Sequence, residues 1–178
     1  MTDPKITPAD LQRAIRNIPD FPQPGIQFKD ITPVLADARL LAGCVDLLTA
    51  HLPAGSVDAV VGIDARGFIF AAAAAMKLRA GFVPVRKKGK LPHKTYEQSY
   101  DLEYGSNTIA IHVDAFQPGS RVLLVDDLLA TGGTAAAAAA LVQKAGGRIV
   151  EISFVFELSF LNGRDKLKSY PVRSLVVY

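Results

Sequence analysis

Two adjacent carboxylates, Asp126 and Asp127, stand just ahead of the turn Ala130-Thr131-Gly132-Gly133-Thr134. Gly132 and Gly133 let the backbone turn without Cβ clashes and bring N–H groups close to a bound anion. Thr131 and Thr134 add hydroxyl donors, and a helix starting near Thr134 adds the positive end of its dipole. Together they form a phosphate cradle. It is not a Walker A loop, because Gly-x-x-x-x-Gly-Lys-Ser/Thr is absent and the turn holds no lysine. The aspartates would repel a phosphate, so they must face something else. Ionised carboxylates only accept hydrogen bonds, and a vicinal diol presents two donors. A diol beside a phosphate monoester describes a ribose 5-phosphate. An ordinary strand–turn–helix connection would explain a lone Gly-Gly turn, but the whole string 122–134 is far more specific.

Two further turns suit anions. Asp64-Ala65-Arg66-Gly67-Phe68 follows the apolar run 58–63 and opens an alanine-rich helix. A cation is poorly placed at a helix start unless an anion accompanies it, so Arg66 marks a second anion site. The run 82–85 delivers Arg86-Lys87-Lys88-Gly89-Lys90-Leu91-Pro92-His93-Lys94, which holds five of the 20 Lys and Arg residues. Such a loop alone is more often merely solvated. Its place after a strand of the same sheet makes it a local anion site and not a nucleic-acid face.

The elements that position these groups read as α/β. Val122-Leu123-Leu124-Val125 is a short apolar run suited to a buried parallel strand, which ends on the two aspartates. Ligands of open α/β sheets sit beyond the carboxyl ends of the strands, where this sequence puts its polar groups. Runs 58–63, 82–85, 109–113 and 149–156 read as further strands, and 174–178 as an edge strand. Helices are expected over 40–51, from the Arg66 turn to about Arg79 with Gly81 closing it, and from Thr134 to Gly146-Gly147. Six consecutive alanines, 135–140, allow close helix–sheet approach. Near the start, Thr7-Pro8 is an N-cap and first helical position, and Leu11, Ile15 and Ile18 form one helical stripe that Pro19 ends. Residues 19–25, with three prolines and a glycine, are too irregular for a regular element. The polar stretch through Asn107 reads as a long mobile loop or a flexible hairpin, the usual make-up of a lid.

The 178 residues, 49% hydrophobic and 21% charged with a net charge of +3, suit one globular domain spanning 1–178. A single cysteine, Cys44, leaves no intrachain disulfide and no cysteine metal site, and fits a reducing cytoplasm. No signal segment opens the chain, and the apolar runs are too short or too alanine-rich to span a bilayer. A soluble cytoplasmic protein with neither membrane nor nucleic-acid partners is expected.

The string Val125-Asp126-Asp127-Leu128-Leu129-Ala130-Thr131-Gly132-Gly133-Thr134 resembles the phosphoribosyl-pyrophosphate (PRPP) signature of type I phosphoribosyltransferases, in the form carried by the adenine enzymes. Gly25-Ile26-Gln27-Phe28-Lys29-Asp30-Ile31 resembles their Pro-Gly-(apolar)-x-Phe-(Arg/Lys)-Asp-Ile segment. Leu102-Glu103-Tyr104-Gly105 matches their Leu-Glu-Tyr-Gly, and residues 157–164 match Glu-Leu-x-x-Leu-x-Gly-Arg. Ala65 stands where the family often has serine, so that turn lacks a hydroxyl. The resemblance implies a central, mostly parallel sheet flanked by helices, a small N-terminal hood within about 1–35, and a flexible catalytic loop over about 87–107.

It also implies the site. Asp126, Asp127 and the turn from Ala130 to Thr134 would hold the ribose and its 5-phosphate. Arg66, Arg86, Lys87, Lys90, His93 and Tyr104 would hold pyrophosphate. Backbone groups of Gln27 and Lys29 would read adenine, with Phe28 and Leu158 on opposite faces of the ring. Glu103 would exchange a proton with a purine nitrogen or stabilise a cationic ribose. Mg2+ would be held mainly by PRPP and water, without a direct protein ligand. The products would be AMP and pyrophosphate, and the assembly a homodimer. Two alternatives remain: a xanthine or hypoxanthine–guanine enzyme with another hood, and a PRPP-sensing regulator of the same fold. Little length before Pro19 is left for a winged-helix domain.

Overall fold

The computed structural model describes residues 5–101 and 106–178. The chain opens with α1 (Pro8–Ala14), held by a capping box between Thr7 and Asp10. The helix stops earlier than its apolar stripe suggests. Ile15 is already extended, and Ile18 lies in β1 (Arg16–Pro19), opposite Phe28 of β2 (Gln27–Asp30). Antiparallel pairing in this hairpin overrides the helical period. The short helix α2 (Thr32–Ala36), too brief to leave a periodic signal, leads into α3 (Ala38–Thr49), capped by the Asp37 carboxylate.

The body is one seven-stranded sheet. β3 (Ala59–Ile63) is followed by α4 (Gly67–Leu78) and β4 (Gly81–Lys87). β5 (Thr95–Asp101) and β6 (Ser106–His112) pair antiparallel as a hairpin, so the polar stretch takes the paired one of its two expected forms. β7 (Arg121–Leu129), α5 (Gly133–Lys144), β8 (Arg148–Glu157) and β9 (Val172–Val177) complete it, with 3-10 turns at Ser159–Leu161 and Gly163–Leu167. The order is β5-β6-β4-β3-β7-β8-β9; β4 through β3, β7, β8 and β9 are mutually parallel. The expected mostly parallel α/β sheet is present, and β9 forms its edge.

Alternating side chains on the strands feed two cores. Leu123 and Val125 join Val60 and Phe70 on the α4 face, while Val122 and Leu124 join Val61, Ala138 and Leu141 on the α5 face. The alanine run has a second neighbour, because Tyr96 and Tyr100 of β5 pack on the same cluster. Small side chains let α5 sit close to both the sheet and the hairpin.

Three boundaries differ from expectation. α4 closes on Arg79, which is left-handed (φ 55°), with the Ala80 N–H returning to the Ala75 carbonyl at 2.9 Å; Gly81 instead opens β4. Arg86 and Lys87 belong to β4, because they pair with Ala110 and Ile109 of β6. β7 does not end on its aspartates. It continues to Leu129 because β8 stays alongside, pairing Leu129 with Glu157, while β3 pairs β7 only as far as Gly62 with Val125.

That last difference makes the site. Neighbouring strands β3 and β7 send their crossovers in opposite directions, to β4 and to β8, so a crevice opens between their carboxyl ends. No helix among the described residues is long and apolar enough to cross a membrane.

Candidate active site

A cleft of about 320 Å³ lies at this switch point, lined by residues 63–66, Tyr100 and residues 126–135. Its floor is the turn before α5. Gly132 is left-handed (φ 75°) and is the N-cap, yet no side chain caps the helix. The first intrahelical bond runs from Ala136 N–H to the Gly132 carbonyl. The N–H groups of the first turn, with the helix dipole behind them, are therefore free of any side-chain cap and suit an anion. Thr131 is exposed and Thr134 half-buried, so both hydroxyls border the cleft.

The turn is held from below. A Cβ on Gly132 would stand 2.3 Å from the Gly163 carbonyl oxygen, and one on Gly163 would stand 2.1 Å from that of Ala130. Only two glycines allow this approach. Gly163 is placed by its neighbour Arg164, whose Nε and Nη2 donate to the buried Glu157 carboxylate at 2.8 and 2.7 Å. Ser174 Oγ donates to the same carboxylate at 2.7 Å. Burial pushes the Glu157 carboxyl up, but the bonds from Arg164 and Ser174 outweigh it and leave it below its ordinary 4.5. The Glu-Leu-x-x-Leu-x-Gly-Arg segment thus ties the end of β8 to the glycine turn before α5. The sequence singled it out only by likeness, without this role.

The aspartates form the side wall, and they are not simply solvated. Asp127 is 5% exposed, and Arg66 Nε approaches its Oδ2 to 2.8 Å as an ion pair. That oxygen still accepts no aligned hydrogen bond, although it is shielded from solvent. The Arg66 charge offsets its burial, and a ligand hydroxyl is suited to supply the missing bond. Asp126 Oδ1 accepts the Asp127 N–H at 2.9 Å. Across from it, Gly67 begins α4, where a Cβ would stand 2.6 Å from Asp126 Oδ1. Burial, and then the charge of Asp127, hold the Asp126 carboxyl well above its ordinary range. Burial also raises Asp127, with Arg66 opposing the rise.

Of the expected pyrophosphate group, Arg66 lines the cleft. Arg86 stands behind it, donating through Nε to Asp64 Oδ2 at 3.0 Å and through Nη1 to the Lys90 carbonyl at 3.1 Å. Lys87, Lys90 and His93 are not among the lining residues; the His93 ring lies 6.0 Å from that of His112. Tyr100 does line the cleft, and sequence reasoning missed it. A tyrosine in a polar strand carries no local mark, and only the fold of the hairpin over α5 brings it there. Glu103 and Tyr104 lie outside the described residues.

The β1–β2 hairpin reaches the cleft through Arg66. Its guanidinium carbon is 5.8 Å from the centroid of the half-buried Phe28 ring, and Phe21 meets the same ring edge-on at 5.1 Å. Gln27 and Lys29 flank Phe28 on β2, where they pair with Pro19 and Asn17. Leu158 follows β8 and is fixed by its N–H bond to the Leu129 carbonyl, 2.9 Å.

Residues 32–175 match the model of the phosphoribosyl transferase domain. Adenine phosphoribosyltransferase of Chloroflexus aurantiacus is 55% identical over 173 residues, covering 97% of this chain and all (100%) of the relative. That of Acidothermus cellulolyticus is 58% identical over 173 residues, covering 95% of this chain and 98% of its own. The crystal structure of adenine phosphoribosyltransferase from Thermoanaerobacter pseudethanolicus superposes with a TM-score of 0.92 at 49% identity, covering 97% of this chain and 100% of that one. The Saccharomyces cerevisiae enzyme, complexed with D-2,5-dideoxy-2,5-imino-altritol 1,6-bisphosphate and adenine, gives 0.91 at 42% identity, covering 94% and 97%. An uncapped glycine turn, an aspartate pair at the switch point with Asp127 buried and Asp126 half-buried, and this likeness along nearly the whole chain agree: the chain belongs to the phosphoribosyltransferase family, among its adenine phosphoribosyltransferases.

Proposed function

We infer that the protein transfers the 5-phosphoribosyl group from PRPP to adenine, giving AMP and pyrophosphate. One observation of the site carries the reading: Asp127 Oδ2, buried and without an aligned donor, lies beside a helix N-terminus that no side chain caps. A diol and a phosphate monoester on one ligand match those two needs, and PRPP carries both.

In this reading the 5-phosphate sits on the turn from Ala130 to Thr134, and Asp126 and Asp127 accept from the ribose hydroxyls. Arg66 faces the pyrophosphate, with Arg86, Lys87, Lys90, His93 and Tyr104 contributing from the β4–β6 side. Adenine lies between Phe28 and Leu158 and is read by backbone groups of Gln27 and Lys29. The bond from C1′ to the pyrophosphate oxygen breaks as a purine nitrogen bonds to C1′, and that nitrogen gives up its proton. Glu103 exchanges this proton or steadies the cationic ribose. A C1′ of oxocarbenium character is open to capture by water, which gives the segment about 87–107 a reason to close over the cleft.

Magnesium fits as a passenger of the substrate. Among the described residues no group of three or more His, Cys, Asp or Glu could cage a metal, whereas PRPP and water offer the oxygens Mg2+ prefers. When bound, the ion would neutralise the leaving pyrophosphate. A homodimer in a reducing cytoplasm, with the hood within about 1–35, completes the reading; light scattering of the purified protein reads the dimer.

The test is product formation. Incubating the protein with PRPP, Mg2+ and adenine should yield AMP and pyrophosphate in equal amounts. Pyrophosphate without AMP, or neither product, would overturn the reading.

A further inference from the structure

A two-stranded hairpin is marginal by itself, and among the described residues β1–β2 pairs with no third strand. What fixes it against the body is therefore informative. Lys29 is half-buried, and its Nζ lies 3.7 Å from the centroid of the Tyr178 ring while donating to Asn17 Oδ1 at 2.6 Å. The ammonium thus spans the hairpin and docks on a ring outside it.

That ring is firmly held. The Tyr178 N–H donates to the Glu157 carbonyl at 2.9 Å, and its own carbonyl accepts from Ser159 N–H at 3.0 Å and from Ser159 Oγ at 2.7 Å. Its ring meets Phe156 edge-on at 6.3 Å. Phe156, Glu157 and Ser159 enclose Leu158 in sequence. Tyr178 is thus anchored on the segment that carries Leu158, and Lys29 is the residue after Phe28.

We propose that Lys29 and Tyr178 are positioning residues for the base: their cation–π contact sets the hood strand against the end of β8 and so fixes the slot between Phe28 and Leu158. The inference rests on the placement of adenine in that slot. It gives the Lys29 side chain a task even where only its backbone touches the base. An arginine would serve equally, because a guanidinium also stacks on a tyrosine ring.

The test combines kinetics with amide exchange on the full chain. Lys29→Met and Tyr178→Leu should each raise KM for adenine about fivefold, the effect of one cation–π contact, with KM for PRPP unmoved. The double variant should show about the same fivefold and not the product, because both changes delete one contact. Lys29→Arg and Tyr178→Phe keep cation and ring and should raise KM for adenine less than the Met and Leu changes do. Exchange at residues 27–30 should quicken in the Met and Leu variants and not in the conservative pair. If Tyr178→Leu folds poorly, Lys29→Met with its Arg counterpart carries the test alone. Effects that multiply, or an equal rise in KM for PRPP, would overturn the clasp. Faster exchange with unchanged adenine KM would overturn its part in base binding, while turnover of adenine by the parent protein reads the underlying assignment separately.

Discussion

Ionising both Asp126 and Asp127 puts two negative charges on neighbouring residues of one strand, with Arg66 as the close counter-charge. Both carboxyls are raised above 3.8 in the fold. A carboxyl raised on folding holds its proton longer in the native state than in the unfolded chain. Stability is therefore lost as pH climbs from about the unfolded value through the folded one. Asp126→Asn removes that loss, so the variant should be the more stable protein at pH 7, by roughly 0.5–2 kcal/mol, and the gain should vanish in acid where the parent is protonated as well. Denaturant titrations at pH 7 and near pH 3 check this. In the proposed reading the same change also deletes an acceptor for the ribose, so kcat/KM for PRPP should fall by about 1.5–3 kcal/mol of transition-state stabilisation, or on the order of ten- to a hundredfold. A variant that gains stability and keeps full activity would contradict the diol role. The type and spacing of these residues were legible in the sequence. Their burial was not, since it depends on β8 running on beside β7 and on Gly67 closing over Asp126.

At the scale of elements, the glycine turn before α5 depends on a segment some thirty residues later in the chain. Glu157 is buried and half-exposed Arg164 neutralises it. Arg164→Met should cost roughly 1–3 kcal/mol by leaving the carboxylate short of donors, a range reduced from that of fully buried pairs for Arg164's exposure. It should also loosen the turn that Gly163 supports, raising KM for PRPP more than KM for adenine; equal change in both would contradict the link. The Glu157 carboxyl lies below 4.5 in the fold, so its contribution is full above that value and fades as pH falls through the folded one. The hairpin makes a second prediction. If β5 and β6 close on the substrate, amides of Thr95–Asp101 and Ser106–His112 should exchange more slowly with Mg2+ and PRPP; unchanged protection would remove the lid. Strand and helix order was legible because apolar runs and glycine turns punctuate the chain. The β1–β2 hairpin was not, because its pairing is tertiary and its stripe at Leu11, Ile15 and Ile18 has helical spacing.

For the whole molecule, the proposed reading brings two parts of unequal size to one ligand. In it the sheet would supply groups for the phosphate and the ribose, and the β1–β2 hairpin would supply a strand for the base. Adenine offers an amino donor beside an unprotonated ring nitrogen, whereas a 6-oxopurine offers a carbonyl beside a protonated one. Backbone groups of β2 fixed by the hairpin cannot suit both patterns. Each buried mismatch costs about 1–3 kcal/mol, so two predict on the order of a hundredfold or more against hypoxanthine and guanine. Reading through the backbone also predicts that Gln27→Ala keeps the preference, while Phe28→Ala weakens binding of the base. The most direct measurement compares kcat/KM for adenine, hypoxanthine and guanine at saturating PRPP and Mg2+. A preference for adenine of about a hundredfold or more is expected, and comparable use of the 6-oxopurines would contradict the adenine assignment.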